Sequence, residues 1–227
     1  NLEQLKNLSL GYTHITDESL PAMAGLTHLL ALDLNHTAVS NLGLKSLAQL
    51  KSLRALNLFA TRVTDEGLDE LTPLVELRQL NLGSIKRMTD PGLKAVARLP
   101  HLELLDLDAA KITDAGLKDF AAMTNLQTLY LPSTKVTGTG LTNLNGLARL
   151  QSLVLSGDAV TDETVKGVAG LTQLKRLDLN RSQITDAGLT NLLGLKQLET
   201  LGLGRTKVTD AGVKELQKAL PRLLIRR

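Results

Sequence analysis

Thr-Asp pairs are the residues of this chain most suggestive of chemistry, because a hydroxyl beside a carboxylate can serve as a nucleophile, a general base or a hard-metal ligand. They occur as TDESL at 16, TDEGL at 64, TDPGL at 89, TDAGL at 113 and 185, TDETV at 161 and TDAGV at 209, with SNLGL at 40 and TGTGL at 137 as variants. Nine placements of one motif argue against nine active sites. A calcium ladder is the functional alternative, since Asp17, Asp65, Asp90, Asp114, Asp162, Asp186 and Asp210 should line one edge. Calcium takes roughly six to eight oxygens, and one carboxylate per unit supplies too few. The pair reads instead as a helix start. Thr and Asp oxygens accept from the free N–H groups of a first turn, and the carboxylate meets the positive end of the helix dipole. Ser40-Asn41 keeps that capping chemistry with an amide in place of the carboxylate, and only Thr137-Gly138 has neither. The Gly that follows, as in Gly67, Gly92, Gly116, Gly188 and Gly212, allows close backbone approach between crowded neighbours. No glycine-rich phosphate-binding pattern accompanies it.

The four histidines are His14, His36, His28 and His101. His14 and His36 fall in turns of adjacent units and could pair on a metal, but ordinary surface histidines are the expected reading. There is no Cys, which excludes thiol nucleophiles, disulfides and Cys-based zinc or iron-sulfur sites. No spacing implies a catalytic triad. No metal, cofactor or catalytic residue is expected. The formal charge of +3 arises from 26 Lys and Arg against 23 Asp and Glu, without a long basic run. A solvated mixed-charge surface and no nucleic-acid partner follow. No apolar run is long enough to span a membrane, and NLEQLKNLSL is not a signal peptide.

The elements that carry these motifs come from an internal period. Leucines 8, 32, 56, 80, 105, 129, 153, 177 and 201 are spaced by 24 residues, with one step of 25. Each unit reads L-x-x-L-x-L-x-x-T-x-V/I-T-D-x-G-L-x-x-L. The L-x-L segment alternates as a strand does, whereas the apolar residues after Thr-Asp recur at helical spacing, as in Leu189, Leu192 and Leu195. A strand, turn and short helix cannot bury their apolar faces alone, so units must stack around a shared leucine core. Only 2% of the chain is aromatic, and that core is aliphatic, with Phe120 replacing a leucine. Helices are wider than the roughly 4.8 Å strand spacing, so the stack should bend into a horseshoe with strands inside.

The repeat LxxLxLxxT with its ITDxGL tail resembles leucine-rich repeats over essentially the whole chain. The tail is similar to the cysteine-containing subclass, with Thr mostly in place of the usual Cys or Asn, a variant resembling bacterial repeat proteins. The resemblance implies an α/β right-handed solenoid, with a parallel sheet on the concave face and short helices on the convex face. One domain over 1–227 is expected, incomplete at its N-terminus and capped around 213–227, where Pro221 should stop the last helix and Leu223 and Ile225 add a half-strand. Thr13, Thr37, Thr61, Thr134 and Thr206, with Ser182 and Asp158, fall past the strand. There a small hydroxyl is expected to join adjacent turns, which Ile85 and Ala110 cannot do. The single extra residue, in GSIKRMTD, should form a local bulge tolerated as a surface insertion.

Strand residues flanking the inward leucines point to the concave face and are expected to be free of structural duty. Three of the four aromatics, Tyr12, Phe59 and Tyr130, fall there. Tyr130 and Val154 share one column, with Leu104 diagonal to them and Pro132 on the same strand. Asp33, Asp106 and Asp108 supply acid, and Arg176, Arg181 and Arg205, with Asp178 among them, supply base. Apolar anchors ringed by charge are the signature of a protein-binding surface. The expected function is therefore non-catalytic recognition of a protein or peptide by the concave face, in a monomeric segment of a larger chain. The alternative is a targeting or structural spacer segment whose catalytic domain, such as a kinase or effector enzyme, lies upstream. The compartment is left open.

Overall fold

The computed structural model describes residues 2–227. The chain divides into two units, the first ending at Ile112 and the second spanning Thr113–Arg227. The first contains β1 (Asn7–Ser9), β2 (Ala31–Asp33), β3 (Ala55–Asn57), β4 (Gln79–Asn81) and β5 (Leu104–Asp106). The second contains β6 (Thr128–Tyr130), β7 (Ser152–Val154), β8 (Arg176–Asp178), β9 (Thr200–Gly202) and β10 (Leu224–Arg226). Within each unit all pairing is parallel and sheet order follows chain order. Register places like positions together, as in Leu32↔Leu56 and Leu153↔Leu177.

Between strands the chain returns through short helices, most of which begin at the Asp of the Thr-Asp pair with the Thr as N-cap. Asn41–Leu47, Asp90–Val96 and Asp210–Ala219 are α-helical, while Asp17–Met23, Asp65–Leu71 and Gly116–Ala122 tighten to 3-10 geometry. Seven residues hold fewer than two full α turns, so close packing rather than propensity sets their winding. The inward leucines of strand and helix are buried together, and Phe120 lies fully within this core. The last helix ends before Pro221, and β10 pairs with β9 through Leu224↔Thr200.

The ladder hydroxyls behave differently from expectation. Thr13, Thr37, Thr61, Thr134 and Thr206 each donate to the carbonyl three residues earlier, to Leu10, Leu34, Leu58, Leu131 and Leu203, at 2.6–2.8 Å. Each hydroxyl thus closes its own turn, because that carbonyl is the nearest acceptor after the strand ends. Asp158 is exposed and makes no inward rung. Ile85 and Ala110 are buried, as rungs held by packing. The extra residue of GSIKRMTD is absorbed in a turn closed by the Met88 N–H on the Ile85 carbonyl at 3.0 Å.

Ser182 is 1% exposed, and among the described residues its hydroxyl has no partner. A buried unsatisfied hydroxyl costs about 1–3 kcal/mol. Ser182→Ala is therefore expected to raise stability by about 1 kcal/mol in urea unfolding; a loss of stability would show that the hydroxyl does bond.

Candidate functional site

What joins one repeat to the next is the Thr-Asp pair. Asp162 accepts from the Thr185 N–H at 2.8 Å and from the Thr185 hydroxyl at 2.7 Å, 23 residues on. Asp186 does the same to Thr209 at 2.8 and 2.6 Å, and Asp17 to Ser40 at 2.7 and 2.5 Å. Asp65 binds Thr89, and Asp114 binds Thr137, in the same two-pronged way. Asn41 substitutes by accepting from the Thr64 N–H and donating to its hydroxyl. Each carboxylate thus caps the following repeat rather than its own helix, and both its oxygens are taken by N–H and O–H donors. Those bonds hold the Asp186 carboxyl below the ordinary carboxylate range, the Thr209 hydroxyl contributing most and Arg227 adding to it.

The glycine of the motif makes room for that carboxylate. A Cβ at Gly43, Gly92, Gly140, Gly188 or Gly212 would lie 2.2–2.5 Å from an oxygen of the preceding repeat's Asp. Where the Asp is missing, at Gly138, the facing glycine is missing too, and Thr164 stands in its place, buried. The motif is therefore a two-residue lock between neighbours, and its chemistry is structural.

The sheet face is the remaining candidate surface. In the first unit it presents Asp33, Asn57, Asn81, Leu104 and Asp106, all half-buried. These acidic and amide side chains do have structural duty: Asp33, Asn57, Asn81, Asp106 and, in the second unit, Asp178 accept from the N–H two residues on at 2.8–3.0 Å. The reason is backbone arithmetic. The N–H groups of Leu34 and His36 pair with the next repeat, leaving that of Asn35 to a side chain. The recurring Asp or Asn at the third strand position was the available signal.

Immediately after this turn the backbone enters the left-handed region at the same place in successive repeats. Tyr12, His36, Ala60, Ser84, Ala109, Ser133, Arg181 and Arg205 have φ of 52–59°, and Gly157 also has positive φ. Such a conformation costs a non-glycine residue about 1–2 kcal/mol, and the stacked turns impose it. No local preference of Tyr, His or Arg announces it.

Tyr12, 76% exposed, stacks on His36 with ring centroids 4.3 Å apart, and His36 meets Phe59 at 5.3 Å. Tyr12 and Phe59, exposed aromatics by sequence, are thus joined into a three-ring run by His36, which reads by type as an ordinary surface histidine. In the same unit burial pushes the Asp106 carboxyl above the ordinary carboxylate range, against the Asp108 N–H bond and with the help of the Asp108 charge. Burial likewise raises Asp108.

A raised folded-state value means that stability is fully present below the unfolded value and is lost as pH rises through the folded one. Asp106→Asn keeps the acceptor, as Asn57 and Asn81 show, and removes the charge. Its gain in unfolding free energy over the wild type is expected to grow as pH rises through the acid range and to be largest at neutral pH. Parallel pH profiles from urea titrations would refute this.

In the second unit Tyr130 pairs directly with Val154, and Val154 with Asp178. Tyr130, Pro132 and Val154 are half-buried, whereas Arg176, Arg181 and Arg205 are exposed. The apolar pair and the arginines thus share one unit, while Tyr12, Phe59, Leu104, Asp106 and Asp108 belong to the other.

Models of the leucine-rich repeat match residues 3–63 and, separately, 98–121 and 170–193. No curated protein matches the chain by sequence. Among solved structures it is similar to a leucine-rich repeat protein of Leptospira interrogans, with 26% identity and a TM-score of 0.70, covering 100% of this chain and 62% of that one. The chain thus spans less than two thirds of that protein. An internalin of Listeria monocytogenes matches at 24% identity and a TM-score of 0.72, over 99% of this chain and 68% of that one. Internalin C2 of the same organism matches at 23% and 0.64, over 99% and 81%. The 24-residue period, the parallel strands joined by short helices, and these matches agree: the chain is a leucine-rich repeat protein.

Proposed function

We propose that the chain is a non-catalytic recognition module whose strand face, concave in a stack of this kind, binds a protein or peptide. Leucine-rich repeat proteins are in general protein-interaction modules, and among the described residues no helix is long and apolar enough to cross a membrane. The observation that carries the reading is the Tyr130–Val154 pair. Two large side chains stand in register among Thr128, Ser152, Asp178 and Thr200 of the second unit's strands, with exposed Arg176 and Arg181 in the next repeat. Core packing requires neither, since the leucines between them fill the interior.

An aromatic and a branched aliphatic residue with arginines on one flank suit a partner with an apolar anchor and acidic groups to that side. In the first unit Asp106 and Asp108, with Asp33, suit basic groups, and Tyr12 and Phe59 offer ring faces. Tyr130→Ala with Val154→Asp is expected to weaken partner capture by at least about 100-fold, as loss of a hot-spot pair does, with the circular dichroism spectrum unchanged. Full capture by the double variant would sink the proposal.

A further inference from the structure

Two shallow grooves lie side by side in the first unit, on the edge where the chain turns from strand to helix. One is bordered by His14, His36 and Arg62, the other by Arg62, Lys86 and Arg87, and no carboxylate lines either. The column continues at Lys111: Arg87 bridges to Thr64 and Lys111 to Thr89 in parallel register. Each cation thus lies opposite the Thr two residues beyond the preceding repeat's cation, so the cations form a staggered column, one repeat apart. Arg62, Lys86, Arg87 and Lys111 are all exposed, and among the described residues none of them is in an ion pair. Repulsion along such a column is offset in part by the Glu66 carboxylate near Arg87 and by screening water, and a polyanion would relieve the rest.

The surroundings narrow the class of polyanion. The backbone groups of Arg62 and Lys111 already donate to Val39 and Met88, so an acidic peptide would find no main-chain partners there. A single-stranded nucleic acid needs stacking platforms. The grooves hold two imidazoles; His36 is already stacked by Tyr12 and approached by Phe59, which leaves the exposed His14 alone and no run of rings on which successive bases could stack. No large apolar side chain is exposed in the grooves for a lipid surface. What remains is dense oxyanion charge on a polymer with hydroxyls of its own, which the Thr16 and Ser84 hydroxyls can meet. We propose that this edge binds a sulfated polysaccharide, independently of the strand face.

The test is calorimetric titration of a heparin hexasaccharide into the whole protein at low salt. Arg62→Glu with Lys86→Glu is expected to weaken binding by about tenfold or more, with a shallower salt dependence. Lys207→Glu with Lys214→Glu, the same charge change at exposed lysines of the second unit, should weaken it by less than about threefold. The Tyr130→Ala and Val154→Asp variant should bind the hexasaccharide as the wild type does, which separates this proposal from the strand-face one. Equal losses in both charge variants would overturn it as bulk attraction, and so would hexaglutamate or an oligo(dT) hexamer binding as tightly. Arg62→Ser with Lys86→Ser, which adds no new charge, repeats the test should the reversal variant fail to fold.

Discussion

Gly138→Asp, which writes the majority residue of the repeat into one of the two repeats that lack it, is expected to destabilise the protein by about 2–3 kcal/mol. A consensus argument predicts the opposite. The Cβ at 138 would lie 2.3 Å from the Glu163 carbonyl oxygen and 3.3 Å from the Thr164 Cα, and backbone cannot swing aside as a side chain can. Gly167 shows the same crowding from the other side, its Cβ position being 2.0 Å from the Gly138 oxygen. Repeats elsewhere pair a preceding Asp with a following Gly, whereas here a preceding Gly faces Thr164, so the exchange keeps the volume between neighbours roughly constant. Thr164→Gly alone should cost about 1–2 kcal/mol, from lost packing and added chain entropy. Combined with Gly138→Asp it should recover at least about 1 kcal/mol, because the glycine reopens the space that the carboxylate needs. Urea unfolding of the four proteins measures the coupling. Additive losses would show that the two positions do not share one space.

The intact lock makes the complementary case. Gly188→Ala is expected to cost about 2–3 kcal/mol, since its Cβ would sit 2.3 Å from an Asp162 oxygen that the Thr185 N–H holds in place. Asp162→Ala is expected to cost about 2–3 kcal/mol by removing two charge-assisted bonds and leaving the Thr185 N–H unsatisfied. The double variant should cost less than the sum by about 1 kcal/mol or more, because the new methyl then meets the Asp162 Cα position at 3.4 Å instead of an oxygen. Asp162→Asn should fall between, with an amide able to accept from the N–H and donate to the hydroxyl, as Asn41 does with Thr64. A strictly additive cycle would mean that the glycine serves the helix start and not the neighbour's carboxylate.

Much of the sheet-face reading survives in altered form. The columns holding Tyr130, Val154 and the arginines were legible because strand alternation assigns each residue a side. The Asp and Asn columns were legible as exposed, but their bonds to the N–H two residues on were not, since those depend on which amides the next repeat has already taken. Thr-Asp was legible as a helix-start motif, yet its partner is 23 residues away and belongs to another helix. The His36 stack between Tyr12 and Phe59 joins residues from three successive units, two of them in left-handed backbone.

The sequence by itself determined the repeat, its 24-residue period, the strand and helix positions and the leucine core, because these follow from local periodicity and the need of each unit to bury an apolar face. Only the tertiary structure decided what each polar residue bonds. Hydrogen-bond partners are set by distances between repeats, and residues 23 or 24 apart in the chain become adjacent only once the units have stacked.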